Sequence, residues 1–207
     1  MDKVMEKILY GIVRLLVTVV VTVLYPMRVE GREHLRSIKP PFIAYANHIS
    51  GLDPLFLAYL MLPYRTSFFA KEELMADRFR KWALRSLGAI PVKRGSADIH
   101  AVKTAAEVLK HGEVFAIFPE GTRNRKLNGE LQKFRTGVGL IALRSGVPVL
   151  PVRFLNDEGF RIFRKARIRV GPPVELSDLY APARITSDTI AQAVSRMLRS
   201  MDKLANT

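Results

Sequence analysis

The sequence contains no cysteine, and this absence excludes several kinds of chemistry at once. Disulfide bonds, thiolate metal sites and a cysteine nucleophile are all ruled out. A chain without disulfides is compatible with a reducing compartment. The histidines are His34, His48, His100 and His111, and their positions match none of the usual spacings of metal-binding histidines.

Acidic residues are few compared with basic ones. The chain of 207 residues has 33 Lys+Arg against 19 Asp+Glu, a formal net charge of +14. Such an excess indicates a negatively charged partner: nucleic acid, an anionic membrane surface, a phosphorylated substrate or an acidic carrier protein. The basic residues concentrate in three stretches, Arg78–Arg94, Arg123–Arg135 and Arg161–Arg169.

Charged residues are nearly absent from positions 8–24, ILYGIVRLLVTVVVTVL, where Arg14 is the exception. As a helix this run is about 25 Å long, slightly less than the ~30 Å hydrocarbon core of a bilayer. A buried core helix is one interpretation. We favour a membrane anchor, spanning the bilayer or lying in one leaflet, because the run is so continuously apolar. Bulky residues follow at 25–27, so a cleaved signal peptide is not expected.

No internal repeat or low-complexity linker interrupts the chain, and its length suits one domain. Apolar strands alternate with amphipathic helices, which favours α/β layers. We therefore expect an α/β fold with a mixed, largely parallel sheet flanked by helices and an N-terminal apolar membrane-anchoring helix. The predicted strands are 42–46, 66–70, 89–92, 114–118, 149–152 and 166–170, and the predicted helices are 54–62, 72–87, 97–110, 136–145 and 187–204.

The motif NHISGLD, at 47–53, lies between the predicted strand FIAYA and Pro54. One interpretation of Asp53 is structural, because an aspartate N-cap followed by proline is a common helix start. The other is catalytic: Gly51 lets the loop fold back, and Asp53 accepts a hydrogen bond from His48. That bond would fix the imidazole tautomer and prepare the other ring nitrogen to take a proton from an alcohol. The two interpretations are compatible.

The segment FPEGTRNR, at 118–125, also follows an apolar strand. Ligands of open α/β sheets bind beyond the carboxyl ends of the strands. Gly121 lets the backbone approach a ligand, Thr122 and Arg123 supply donors, and a guanidinium suits phosphate. A local salt bridge between Glu120 and Arg123 on a surface loop is the alternative.

Two further basic residues, Lys71 and Arg94, follow predicted strands. Solvated loop charge is the alternative interpretation of each. The segment VPVLPV, at 147–152, contains Pro148 and Pro151. We interpret it as structural, either an edge strand or a wall.

In this order, the segments resemble the motifs of the glycerolipid acyltransferases, specifically the 1-acylglycerol-3-phosphate (lysophosphatidate) acyltransferases. Asn47-His48 with Asp53-Pro54 is similar to that family's His-x4-Asp signature. The stretch from Lys71 to Arg94 resembles its second motif, FPEGTR its third and VPVLPV its fourth. The resemblance covers roughly residues 42–153.

The resemblance implies transfer of a fatty acyl group from acyl-CoA or acyl carrier protein to the free hydroxyl of lysophosphatidate, giving phosphatidate. It implies that His48 is the general base and that Asp53 orients it. The residues it implies for binding the phosphorylated acceptor are Lys71, Arg94, Glu120, Gly121, Thr122 and Arg123. Because the chain has neither a cysteine nor a G-x-S-x-G elbow, direct attack without an acyl-enzyme is the simpler hypothesis.

The expected partners are lysophosphatidate, acyl-CoA or acyl carrier protein, and an anionic membrane surface, with no nucleic acid and no metal or redox cofactor. We expect residues 1–27 to form the anchor and residues 28–207 the catalytic domain, on the cytoplasmic side of a membrane. The nearest alternative is another acceptor: glycerol-3-phosphate, a lyso-ornithine lipid or another lysophospholipid. Outside enzymes, the alternative is a basic module that binds membranes or nucleic acid.

Overall fold

A computed structural model describes residues 3–92, 99–126, 128–156, 159–180 and 185–206 of the chain. Its strands are β1 (Met27–Glu30), β2 (Phe42–Ala46), β3 (Thr66–Lys71), β4 (Ala89–Val92), β5 (Val114–Ile117), β6 (Val149–Phe154) and β7 (Ala166–Val170). Its α-helices are α1 (Lys3–Leu24), α2 (Arg32–Ser37), α3 (Asp53–Leu60), α4 (Arg78–Ser86), α5 (Ile99–Lys110), α6 (Thr136–Ser145) and α7 (Ser187–Asn206).

The strands form one seven-stranded sheet in the order β1-β7-β6-β2-β5-β3-β4. Strands β6, β2, β5, β3 and β4 are successive parallel neighbours, and among the described strands only β6 and β7 pair antiparallel. The predicted mixed, largely parallel sheet flanked by helices is therefore confirmed. The five parallel strands place their carboxyl ends at one edge of the sheet.

Strand β2 shows how helices cover both faces of the sheet. Its residues Phe42, Ala44 and Ala46 belong to one apolar core, which also contains residues of α3. Ile43 and Tyr45 belong to a second core, formed with α5, α6 and α7. All five side chains are buried, as expected for a strand covered on both faces.

Helix α1 lies on the first face, against α3 and α4. Val21 is buried there, and Thr22 Oγ1 lies 3.1 Å from the hydroxyl oxygen of Tyr59. Within the described ranges, no helix is both long and apolar enough to cross a membrane. Among the side chains of α1 that the structure describes, the large apolar ones left exposed are Met5, Ile8, Ile12, Leu15, Leu16, Val19, Val20 and Val23.

The helix predicted for 72–87 is wrong as one continuous element. Residues Glu72–Met75 form a 3-10 turn, and α4 begins separately at Arg78. The cause is Asp77, which has an extended backbone and accepts the main-chain N–H of Arg80 at 2.8 Å. Aspartate in this position satisfies an otherwise unpaired donor and starts a new helix. The first two residues of the helix predicted for 97–110 lie outside the described ranges.

The edge-strand interpretation of VPVLPV is also wrong, because β6 lies between β7 and β2. Its ladder with β7 pairs residues from Val152 onward. Pro151 stands at the end of that ladder, where its carbonyl oxygen accepts the main-chain N–H of Gly171 at 3.0 Å. A proline fits this interior strand because its missing N–H falls where the pairing with β7 stops.

Candidate active site

The two polar loops singled out in the sequence lie side by side. Strands β2 and β5 are parallel neighbours, so the loops that follow them leave the sheet at the same edge. His48 stands two residues beyond β2, and Glu120 stands three residues beyond β5. This is the edge at which open α/β sheets bind their ligands.

The Asp53 carboxylate holds the first loop together. Its Oδ2 lies 2.6 Å from His48 Nδ1, and it accepts the main-chain N–H groups of Ile49 and Ser50 at 2.7 and 2.9 Å. The N-cap of α3 is Leu52, and no side chain caps this helix. The N-cap interpretation of Asp53 is therefore wrong, whereas the expected contact with His48 is present.

Burial and hydrogen bonding have opposite effects on the pKa of Asp53. Burial raises the pKa of the carboxyl above its ordinary value, and the hydrogen bond with His48 is the largest influence that lowers it. Three N–H donors converging on one oxygen favour the carboxylate. If Nδ1 donates to Asp53, the ring presents Nε2 as an acceptor. The His48 side chain keeps 14% of its surface exposed, so a substrate has access to the ring.

The FPEGTRNR segment holds His48 from the other side. Phe118 stacks on the imidazole with ring centroids 4.4 Å apart. Glu120 Oε1 accepts the main-chain N–H of His48 at 3.1 Å. The main-chain N–H of Asn124 donates to the carbonyl oxygen of His48 at 2.6 Å. The ring, the N–H and the carbonyl of the histidine are thus each fixed by the second loop.

Glu120 is buried, which contradicts the alternative of a salt bridge on a surface loop. Burial raises the pKa of its carboxyl to about 7, although the main-chain N–H groups of His48 and Gln132 act in the opposite direction. Its Oε2 has no partner of good hydrogen-bond geometry among the described residues. This carboxyl therefore changes charge near neutral pH, directly beside the histidine.

The donors that follow Glu120 remain exposed. The side chains of Thr122 and Arg123 are exposed, and Arg123 Nη1 lies 3.7 Å from where a Cβ at Gly51 would be. Gly121 has a φ of 68°, and the side chain of Arg135 occupies the space that a Cβ would need. Glycine is thus required at 121, and the Arg123 guanidinium lies against the loop that carries His48.

The two remaining predicted residues lie further along the sheet. Lys71 is the last residue of β3, which neighbours β5, and its side chain is half-buried. Arg94 lies outside the described residues. The structure therefore brings His48, Asp53, Glu120 and Arg123 together and places Lys71 at the same edge. No three His, Asp or Glu side chains of the described ranges are placed to share a metal ion.

Two further residues, Asn47 and Arg153, support the site, and the sequence patterns had indicated no role for either. The Asn47 side chain pairs with the backbone of Phe154, donating to its carbonyl at 3.0 Å and accepting its N–H at 2.8 Å. Buried Arg153 donates to the carbonyl oxygens of Met201 and Gly129 at 2.9 and 2.5 Å. Asn47, Arg153 and Glu120 line a pocket of about 220 Å³. A lone charge within the apolar strand VLPVRF was the available signal for Arg153.

Comparisons with known proteins show the family to which the chain belongs. Residues 26–155 match the family model described as Acyltransferase. The chloroplastic 1-acyl-sn-glycerol-3-phosphate acyltransferase of Arabidopsis thaliana is 30% identical over 212 residues, which cover 97% of this chain and 56% of that protein. The 1-acyl-sn-glycerol-3-phosphate acyltransferase of Bacillus subtilis is 26% identical over 165 residues, 78% of this chain and 81% of that protein.

A solved structure is also similar to this chain over nearly its whole length. The crystal structure of the 1-acyl-sn-glycerophosphate (LPA) acyltransferase from Thermotoga maritima superposes with a TM-score of 0.67 at 27% identity. The superposition covers 98% of this chain and 82% of that one. The chain spans about half the length of the plant relatives it matches: 44% of the Brassica napus protein and 56% of the Arabidopsis thaliana protein.

Proposed function

Because the chain belongs to the acyltransferase family, we propose that it transfers a fatty acyl group from an acyl thioester to the sn-2 hydroxyl of 1-acyl-sn-glycerol-3-phosphate, giving phosphatidate. The observation that carries this proposal is the 2.6 Å contact between His48 Nδ1 and Asp53 Oδ2. It gives the histidine an orienting carboxylate, which a general base for an alcohol needs. The names of the Arabidopsis thaliana and Bacillus subtilis relatives support the choice of acceptor.

The first step is attack by the acceptor. His48 Nδ1–H donates to Asp53 Oδ2, so Nε2 takes the proton from the sn-2 hydroxyl as its oxygen bonds to the thioester carbonyl carbon. The imidazolium that forms lies beside the Asp53 carboxylate, which stabilises its charge. Phe118 and the main-chain contacts of Glu120 and Asn124 keep the ring and its loop in place.

The second step is collapse of the tetrahedral intermediate. The carbon–sulfur bond breaks, the ester carbonyl re-forms, and the leaving thiolate takes the proton from His48 Nε2. One ester and one thiol are formed from one alcohol and one thioester. The reaction is redox-neutral, and the proposal requires no cofactor beyond the acyl-CoA or acyl carrier protein that donates the acyl group.

The second loop supplies the acceptor site. The Arg123 guanidinium is exposed and lies against the His48 loop, and this position supports a role in binding the phosphate of the acceptor. Thr122 offers an exposed hydroxyl beside it. We assign Lys71 and Arg94 to the outer part of the same phosphate site. Glu120 and Gly121 shape the loop that carries these donors.

Membrane attachment through α1 is part of the proposal. One side of this helix packs on α3 and α4, while the other exposes a row of apolar side chains. A helix of this kind suits the surface of a bilayer, lying in one leaflet. We retain residues 1–27 as the anchor and residues 28–207 as the catalytic domain, facing the cytoplasm.

The decisive experiment measures free thiol released from acyl-CoA and from acyl carrier protein, with and without lysophosphatidate. We expect acceptor-dependent release by the wild-type protein and its loss in His48→Ala. His111→Ala is the matched control, because His111 is exposed at the far end of α5. Equal release in His48→Ala and wild type, or no release with either donor, would contradict the proposal.

The acceptor is tested separately. The same assay is run with lysophosphatidate, glycerol-3-phosphate, a lyso-ornithine lipid and a lysophospholipid without a terminal phosphate. We expect the highest kcat/KM for lysophosphatidate. A higher value for glycerol-3-phosphate would leave the acyltransferase mechanism intact and overturn the acceptor.

A further inference from the structure

An apolar tip flanked by basic residues stands in the loop between β6 and β7. Residues 159–165 read GFRIFRK. Ile162 and Phe163 are 55% and 71% exposed, although both are large apolar residues. Arg161, Arg164 and Lys165 beside them are also exposed. This loop exposes two of the side chains that proteins most strongly tend to bury.

The loop is firmly held at its base. Phe160 packs on Phe56 of α3 with ring centroids 4.2 Å apart and on Phe154 of β6 at 5.5 Å. The main-chain N–H of Phe163 donates to the carbonyl oxygen of Leu24, the last residue of α1, at 2.7 Å. The exposed tip is therefore fixed by the core on one side and by the end of α1 on the other.

Phe163 has a φ of 60°, the one positive φ at a non-glycine position among the described residues. This left-handed conformation is unfavourable for a residue with a side chain, and it occurs where the surroundings impose it. The backbone that carries the exposed phenyl group is thus fixed at this position. A loop whose backbone is already ordered loses little conformational entropy when it binds a surface.

The tip is continuous with the exposed apolar side of α1. Leu24, which accepts the Phe163 N–H, directly follows Val23, one of the exposed residues of that helix. The loop and the end of α1 also meet near the candidate site. Phe56, on which Phe160 packs, lies one helical turn after Asp53, and Tyr25 packs on Phe56 at 5.2 Å between ring centroids.

We propose that the loop 159–165 is a second membrane contact, which inserts Ile162 and Phe163 into an anionic lipid surface while Arg161, Arg164 and Lys165 bind its headgroups. Apolar tips flanked by cations fit such a surface, because the hydrocarbon takes the tip and the negative headgroups take the cations. The contact orients the domain so that the edge carrying His48 approaches the lipid. The inference rests on the membrane attachment proposed above, but it concerns a different element.

The absence of cysteine allows a direct test with single labelled thiols. Phe163→Cys, Val23→Cys and Lys103→Cys are each labelled with an environment-sensitive fluorophore in the full chain. Lys103 is the matched control, because it is exposed on α5, on the opposite face of the sheet. The proteins are mixed with phosphatidylcholine vesicles that contain or lack phosphatidylglycerol.

We expect a blue shift and stronger emission at position 163 with the anionic vesicles, and no change at position 103. A response at position 23 without one at 163 would show that α1 binds lipid alone and would overturn the proposal. Equal responses at 163 and 103 would also overturn it, because they would indicate nonspecific adsorption.

Substitutions in the loop test the apolar tip and the cations separately, without requiring a new backbone conformation. Phe163→Asn keeps a residue that tolerates positive φ. It should weaken sedimentation with anionic vesicles by about tenfold, since one large apolar side chain no longer inserts. Arg164→Gln should weaken it by about fivefold, the effect of one cation near an anionic surface, whereas Lys103→Gln should not. Unchanged binding of Phe163→Asn would overturn the proposal.

The acyl transfer assay distinguishes failure of this inference from failure of the proposed function. With a short-chain, monomeric lysophosphatidate, Phe163→Asn should release thiol at the wild-type rate. With vesicle-borne acceptor it should be slower. No thiol release by wild type would contradict the proposed function, whereas equal rates of variant and wild type on vesicles would contradict only the role of the loop.

Discussion

The two loops of the candidate site each contain one buried carboxyl, and they use it differently. In the first loop, Asp53 Oδ2 is surrounded by the His48 ring nitrogen and two main-chain N–H groups. In the second, Glu120 Oε1 accepts the main-chain N–H of His48, and the main-chain N–H of Gln132 also lowers the pKa of this carboxyl. Asp53 Oδ1 and Glu120 Oε2 both lack a well-placed partner among the described residues, so the two carboxyls differ in that Asp53 also contacts the histidine ring.

We propose that the first loop serves proton transfer and that the second serves binding of the acceptor. Three donors on Asp53 favour its charged form and fix the ring that must move a proton. The loop of Glu120 instead leaves Thr122 and Arg123 exposed, as binding of an anionic substrate requires. The comparison predicts that changes in the first loop reduce the rate of chemistry and that changes in the second reduce acceptor binding or alter pH dependence.

The largest effect is expected for Asp53→Asn. The amide cannot accept hydrogen bonds with both of its polar atoms, and it favours the tautomer in which Nε2 carries the proton. We expect kcat for thiol release to fall by about 10³–10⁴. Asp178→Asn, an exposed aspartate paired with Arg196, is the control that should keep full activity. A kcat within a few-fold of wild type would show that Asp53 does not orient the base.

The next prediction concerns the pH dependence of the free energy of unfolding that Glu120 causes. Its pKa rises from an ordinary value of 4.5 to about 7 in the folded protein, so between these values the folded state binds the proton more tightly than the unfolded state. The free energy of unfolding therefore decreases as pH rises through this interval, by up to about 3 kcal/mol.

Glu120→Gln removes this titration and keeps an acceptor for the His48 N–H. Urea unfolding at about pH 5 and about pH 8 should show a smaller decrease in stability for Glu120→Gln than for wild type. Glu73→Gln, at an exposed glutamate, is the control, and its stability should decrease between these pH values as much as that of wild type. Parallel curves for wild type and Glu120→Gln would mean that the carboxyl is already charged below this interval.

Arg123→Ala should impair acceptor binding. A charge-assisted hydrogen bond to phosphate contributes about 2–3 kcal/mol, so kcat/KM for lysophosphatidate should fall by about 30–150-fold, mainly through KM. Arg144→Ala, at an exposed arginine in the last turn of α6, is the control. An unchanged kcat/KM would remove Arg123 from the acceptor site.

The smallest effect is expected for Lys71→Ala. Lys71 lies at the same sheet edge but two strands from β2, so its charge acts on the acceptor over a longer distance. We expect a loss of about 1 kcal/mol, or about fivefold in kcat/KM, that decreases further as ionic strength rises. A loss as large as that of Arg123→Ala would place Lys71 in direct contact with the phosphate.

Sequence patterns predicted several strands with their observed bounds, both beside the site and away from it, as β4 and β7 show. The strand FIAYA was predicted with its observed bounds, because an entirely apolar run marks a strand covered on both faces. The short strand β1 and helix α2 were not predicted. Strand β1 has only four residues and pairs with β7, about 139 positions away in the chain, and no local pattern indicates such a partner.

The candidate site, too, was only partly predictable from local sequence patterns. The sequence indicated that His48 and Asp53 meet, since both lie in one short loop. It could not show that Asp53 binds the loop rather than capping α3, because the same residue types suit both roles. Nor could it show that Glu120 is buried against the His48 backbone, since that contact depends on β2 and β5 being neighbours.

The most direct test of the catalytic pair is a double-mutant cycle on kcat for thiol release. It compares wild type, His48→Ala, Asp53→Asn and the double variant. If Asp53 acts through His48, the double variant should be no slower than His48→Ala alone. If the two losses multiply instead, Asp53 acts independently of the histidine, and the pair is not the base and its orienting carboxylate.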